Sequence, residues 1–142
     1  MRCLFHMSQL INTILDISKI EAGKMHLSLG VFDLHKIIRH VFKINEVQAQ
    51  NKELVYQLKI SPDAPRLATI DGARLTEVLM NLMSNAIKFT PKGKGVKIQF
   101  EMEGKYLLFT VEDKGVGIPV ERQAAVILFR RNQYRSIPPC LF

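Results

Sequence analysis

Glu77, Asn81, Asn85 and Lys88 recur at i, i+4, i+8 and i+11, so a helix carrying them aligns all four along one side. Asparagine is a mediocre helix former. Two of them one turn apart, beside a lysine, point either to a polar task or to an ordinary solvated face. Lys88 also opens a local basic group with Lys92, Lys94 and Lys97, which either faces phosphates or is simply hydrated around a turn. A second constellation, Asp113-Lys114-Gly115-Val116-Gly117-Ile118-Pro119, follows a strand pattern directly. It places a carboxylate at a strand end and two glycines where backbone can pass close to a ligand. Its spacing is neither that of a P-loop nor that of a three-glycine dinucleotide fingerprint.

Both constellations need elements to hold them. Asp71 stands at an N-cap position ahead of Leu75, Val78, Leu79, Leu82, Met83 and Ala86, an apolar stripe at helical spacing that predicts the clearest helix of the chain. A loop at Lys92–Gly95 then leads to two strands, about Val96 to Met102 and Tyr106 to Glu112, joined by a tight turn at Glu103-Gly104-Lys105. Upstream, a short strand is expected at Leu27 to Phe32, after which Asp33 caps a helix with Leu34, Ile37, Ile38, Val41 and Ile44 on its buried face, ending near Gln50. Strict alternation through Leu54, Tyr56, Leu58 and Ile60 predicts a strand that Pro62 and Pro65 break off, and a second short strand follows at Arg66 to Ile70. The opening segment repeats apolar residues at Met7, Leu10, Ile14 and Ile17, with a second row at Leu4, Ile11 and Leu15. That rhythm predicts a helix to about Ala22, stopped by Gly23, whose stripe is covered by a partner helix or lies on the following domain.

At 142 residues with 47% hydrophobic content, the chain has material for one compact domain and an appendage. No apolar run approaches the roughly 20 residues of a membrane span, and Ser8, Gln9 and Asn12 interrupt the stretch a signal peptide needs. Cys3 and Cys140 lie at opposite ends without metal-ligand spacing, which fits two free thiols in a reducing, cytoplasmic setting. The net charge of +7 owes an excess of three to Arg122, Arg130, Arg131 and Arg135 against Glu121 in the tail. With neither aromatic-basic interleaving nor zinc spacing, it does not indicate a nucleic-acid partner.

Taken together, the motifs resemble a known family. The run Leu82-Met83-Ser84-Asn85-Ala86-Ile87-Lys88-Phe89-Thr90, introduced by Asp71, Arg74-Leu75 and Asn81, resembles the N box of sensor histidine kinases, and Asp113 to Pro119 resembles their G1 box. Ile14 to Lys24 is similar to the end of the second dimerisation helix in hybrid kinases, so the resemblance extends from about Met7 to Pro119. It implies a Bergerat-type α/β fold, a two-layer α+β sandwich with helices on one face of a mixed sheet, incomplete at the C-terminus and preceded by a dimerisation helix. The implied division is residues 1–25 for the end of the dimerisation region, 26–119 for a partial ATP-binding domain and 120–142 for a divergent tail. ATP and Mg2+ are the implied cofactors. By resemblance, Asn85 ligates Mg2+ through its amide oxygen, Asn81 sits one turn away near the phosphates, and Lys88 offers them a point charge. Asp113 accepts a hydrogen bond from the adenine amino group, while Gly115 and Gly117 let backbone approach the nucleotide. Related ATPases of the gyrase and ninety-kilodalton chaperone type carry a glutamate where Asn81 stands, and an amide cannot serve as that base. Phosphoryl transfer to a protein is therefore expected rather than hydrolysis.

The chain also departs from the family pattern. No H box is present: His6, His26, His35 and His40 all lack its context, so no catalytic phosphoacceptor is identified. No glycine follows Gly117, Ile127-Leu128-Phe129 is at best a remnant of the F box, and the second glycine box is missing. The expectation is a histidine kinase fragment of a two-component phosphorelay with weak or absent ATP binding. The alternative is a non-catalytic fragment that modulates intact kinases. Implied partners are a second copy through the N-terminal helix in the intact kinase and a response-regulator receiver domain. The parent kinase is expected in the cytoplasm or anchored to a membrane by a segment outside this chain.

Overall fold

The computed structural model describes residues 14–117. It begins with a helix over residues 14–21 (α1), which ends as Gly23 takes a positive φ of 64°. There the Lys24 amide reaches the Lys19 carbonyl at 2.9 Å and the Gly23 amide reaches that of Ile20 at 3.1 Å, the paired bonds of a glycine-stopped helix. The apolar rows at Leu4, Met7, Leu10 and Ile11 lie outside the described residues, as does the tail from Ile118.

Two antiparallel strands, β1 (Gly30–Asp33) and β3 (Leu67–Ile70), form a small sheet by themselves. The expected strand at Leu27 to Phe32 is therefore displaced toward the helix that follows. Its register is set by the distant pairing of Gly30 with Ile70, which local alternation does not encode. Asp33 ends β1 and caps α2 (Leu34–Asn51), accepting the Lys36 amide at 3.0 Å, while its second oxygen pairs with Arg66 at 2.9 Å. The Arg66 guanidinium, followed by the Lys36 amide, holds the Asp33 carboxyl below the ordinary range.

The main sheet is mixed, in the order β2 (Val55–Ile60), β4 (Gly95–Glu103) and β5 (Tyr106–Asp113). β2 runs parallel to β4, which requires a crossover, and the crossover contains β3 and α3 (Gly72–Phe89). β4 and β5 form a hairpin closed at Glu103 and Tyr106, with Gly104 at a φ of 60° in the turn. α2 and α3 cover one face of this sheet. Leu34, Ile38 and Val41 from α2 and Leu79, Met83 and Ala86 from α3 meet Val96, Ile98 and Phe100 of β4 in a single buried cluster. Phe100 stacks on Phe109 at 4.5 Å between centroids, and Phe42 stacks on Tyr56 at 4.2 Å. The expected two-layer arrangement is thus observed.

Two details of the helices differ from the periodicity. Ile44 is 47% exposed, and the buried position beside it belongs to Asn45, whose amide donates to the Val41 carbonyl at 2.9 Å and touches the Met80 sulfur at 3.5 Å. Hydrogen bonding to its own helix satisfies the Asn45 amide, which makes the position tolerable for a polar residue. On α3, Val78 and Leu82 are 53% and 42% exposed. The apolar stripe is broader than the arc the sheet can cover.

Candidate nucleotide-binding site

The site is built from α3 upward. Asp71 accepts the Arg74 amide at 3.1 Å through one oxygen and the Ser28 amide at 2.9 Å through the other. These two amides, that of Arg74 first, hold its carboxyl below the ordinary range. Arg74 spans from α3 to α1, bonding Asp16 at 2.9 Å and Glu77 at 3.0 Å, and the Asp16 carboxylate leads in raising its already high pKa. Glu77 is thereby engaged in an ion pair at the start of the polar stripe and is set apart from the residues beyond it.

Asn81, Asn85 and Lys88 remain together on the exposed face of α3. Among the described residues, neither asparagine side chain has a hydrogen-bond partner, and both residues are exposed. The Lys88 ammonium lies 5.2 Å from the centroid of the neighbouring Phe89 ring, a cation-π distance that keeps it beside the helix end. Lys92, Lys94 and Lys97 do not join it. Lys92 pairs with Glu53 at 2.7 Å, while Lys94 and Lys97 line a cavity of about 530 Å³ with Val55, Gln57, Glu112 and Lys114. Val55, Gln57 and Lys97 alternate with the core-facing Tyr56, Val96 and Ile98, so this cavity lies on the face of the sheet away from the helices.

The second constellation begins at the end of β5, where Asp113 pairs with Val96 and the Lys114 amide donates to the Gly95 carbonyl at 3.1 Å. The chain then turns back, and the Gly115 amide donates to Asp113 Oδ1 at 2.8 Å. Among the described residues, Asp113 Oδ2 has no partner. Gly115 packs so closely against the end of α3 that a Cβ there would lie 2.9 Å from the Phe89 carbonyl oxygen and 2.5 Å from Asp113 Oδ1. Gly117 has a different requirement: its φ of 74° favours glycine, and no atom of the described residues lies within 4 Å of where a Cβ would be. Phe89 is thus the junction of the two motifs, a role that residue type alone does not signal.

The site sets out both hydrogen-bond acceptors and donors. At the loop, Asp113 Oδ2, which has no partner among the described residues, can accept from an N–H beside backbone too close to admit a side chain. On α3, two exposed amides and a lysine present polar and cationic groups on one side of the helix. No group of three or more His, Cys, Asp or Glu residues that would hold a resident metal occurs among the described residues. A cation bound through one neutral amide would need phosphate oxygens and water to complete its shell. No described helix is long and apolar enough to cross a membrane.

Residues 70–137 match the family described as histidine kinase-, DNA gyrase B- and HSP90-like ATPase, a match that continues past Pro119. Hybrid signal transduction histidine kinase D of Dictyostelium discoideum is 39% identical over 93 residues, 66% of this chain. The chain spans only 6% of that relative, and 8% and 11% of two further curated histidine kinases. Among solved structures, the histidine kinase AdeS of Acinetobacter baumannii superposes with a TM-score of 0.72 at 27% identity, covering 83% of this chain and 58% of its own. Full-length ShkA in complex with AMPPNP gives a TM-score of 0.71 at 28% identity, covering 82% of this chain and 25% of its own. The two helices over a mixed sheet are those of a histidine kinase-type ATPase domain, and the chain belongs to that family.

Proposed function

We propose that residues 26–119 form the ATP site of a protein histidine kinase in a two-component phosphorelay. Residues 1–25 then end its dimerisation helix, and 120–142 form a divergent tail. The observation that carries this reading is the junction at Phe89, where the amide-and-lysine face of α3 ends against the loop held by Asp113. Asp113 Oδ2 accepts the adenine amino group, and Gly115 and Gly117 keep the backbone clear for the base. Asn85 offers its amide oxygen to Mg2+, Asn81 lies one turn earlier beside the phosphates, and Lys88 supplies a compact positive charge to them. ATP supplies the phosphoryl group, and Mg2+ neutralises charge on its phosphates. Asn81 cannot take a proton from water, so the chemistry is transfer to a protein side chain, governed by positioning and charge. The acceptor histidine, a second kinase copy and a response-regulator receiver are the partners of the intact kinase, whose ATP domain works in the cytoplasm.

Titration of Mg-ATP into the chain and into Asn85→Ala tests the assignment. Binding by the parent, expected to be weak because the second glycine box is missing, should fall further when EDTA removes Mg2+. Asn85→Ala should bind roughly tenfold more weakly and respond little to EDTA. Equal binding by both, or binding by the variant alone, defeats the assignment.

A further inference from the structure

The last turn of any helix leaves carbonyls that its own ladder cannot pair. On α3, two of these are taken by a residue from another element. Lys52 Nζ donates to the Ile87 carbonyl at 2.8 Å and to the Lys88 carbonyl at 2.7 Å. Both lengths are those of charge-assisted hydrogen bonds. The ammonium also lies at the negative end of the α3 dipole, where a cation is favourable.

Lys52 is itself held by a well-defined turn. It is the C-cap of α2, and the next two residues complete a Schellman motif: the Leu54 amide bonds the Ala49 carbonyl and the Glu53 amide that of Gln50, both at 2.9 Å. Glu53 adopts a φ of 54° there. Its carbonyl receives the Gly93 amide at 3.1 Å, and its carboxylate pairs with Lys92 at 2.7 Å. The turn that bears Lys52 is therefore tied both to the end of α3 and to the loop after it.

The carbonyls that Lys52 grips belong to the turn carrying Lys88, and the next one along, that of Phe89, lies against Gly115. A continuous contact path leads from Lys52 through the α3 terminus to Gly115 and Asp113. We propose that Lys52 is a positioning residue for the nucleotide site, its ammonium fixing the height and rotation of the last turn of α3 against the Asp113–Gly115 loop. It acts through backbone and does not touch the nucleotide. The proposal rests on the nucleotide reading of the site.

The test compares Lys52→Met, Lys52→Gln and Lys52→Arg in the full chain, by 15N amide spectra without nucleotide and by titration with Mg-ATP. Methionine keeps the length and removes the donor, whereas arginine keeps both charge and donors. In Lys52→Met, the Lys88 and Phe89 amide nitrogens, which share peptide groups with the two capped carbonyls, should shift together with the Gly115 amide. Mg-ATP affinity should fall roughly tenfold. Lys52→Arg should restore both. A folded Lys52→Met whose Gly115 amide and nucleotide affinity equal the parent's overturns the proposal. So does a lowered melting temperature with the Gly115 amide unmoved, which would mark a cap of structural value only. If the parent does not bind Mg-ATP, the nucleotide reading falls, while the Gly115 amide still decides whether Lys52 positions the loop. Should Lys52→Met fail to fold, the neutral donor in Lys52→Gln is judged by the same two signals.

Discussion

The two glycines after Asp113 are there for different reasons, and they should fail differently. At Gly115, an added methyl would press on the Phe89 carbonyl and on the carboxylate that its own amide bonds. Gly115→Ala should therefore separate the loop from α3, costing about 1–3 kcal/mol of local packing. The calorimetric signature is loss of Mg-ATP affinity with a melting temperature lowered by roughly 4 °C for each kcal/mol lost. Unchanged affinity would show that the loop does not shape the site. At Gly117, where no described atom crowds a Cβ, the strain is that of the positive φ in the backbone. Residue types alone made Asp113, Gly115 and the α3 amides legible, because a carboxylate-glycine loop after a strand and an amide stripe at helical spacing are local patterns. Phe89 and Lys52 were not legible. The value of Phe89 lies in its carbonyl, and Lys52 meets backbone 35 and 36 positions away in the chain.

At the scale of elements, capping chemistry was the strongest guide. Asp33 and Asp71 stand at the N-caps that their sequence context predicts, and the period-2 alternation from Leu54 to Ile60 marks a strand whose half-buried residues are those expected. Exposed Ile44, Val78 and Leu82 show where periodicity misleads, since it reports which residues are apolar and not how wide a face the sheet covers. The α2 terminus carries a local conflict. Glu53 occupies a left-handed conformation that costs a non-glycine residue roughly 1 kcal/mol. Its ion pair with Lys92 is 65–70% exposed on both sides and offsets little of that. Glu53→Gly should stabilise the domain by about 0.5–1 kcal/mol in urea denaturation, with the slope unchanged. A destabilised variant would mean that the Lys92 pair outweighs the strain.

At the scale of the whole molecule, the two depressed carboxyls, Asp33 and Asp71, should contribute to its response to acid. Asp33 is lowered chiefly by Arg66 and Asp71 chiefly by the Arg74 amide. A carboxylate with a folded-state pKa below its unfolded value contributes fully above the unfolded value, about pH 4, and loses that contribution as pH falls through the folded one. Melting temperatures should thus hold from neutrality to about pH 5 and decline below about pH 4. The double variant Asp33→Asn, Asp71→Asn keeps capping side chains without the charge and should show a shallower acid decline; a decline parallel to the parent's would assign the effect to other groups. The parallel pairing of β2 with β4 governs the order of events in folding. Val55 finds its ladder partner at Gly95 only after β3 and all of α3 lie between them, so a nascent chain that has produced α2 and β2 can neither pair β2 nor bury Leu34, Ile38 and Val41 fully. The Lys52 ammonium waits for the same interval. Long-range pairings of this kind slow folding, because loop closure precedes any gain from contact. Synthesis must therefore deliver the amide helix and the β4 hairpin before β2 gains its strand partner, and until then the first half has only internal contacts such as the Phe42–Tyr56 stack.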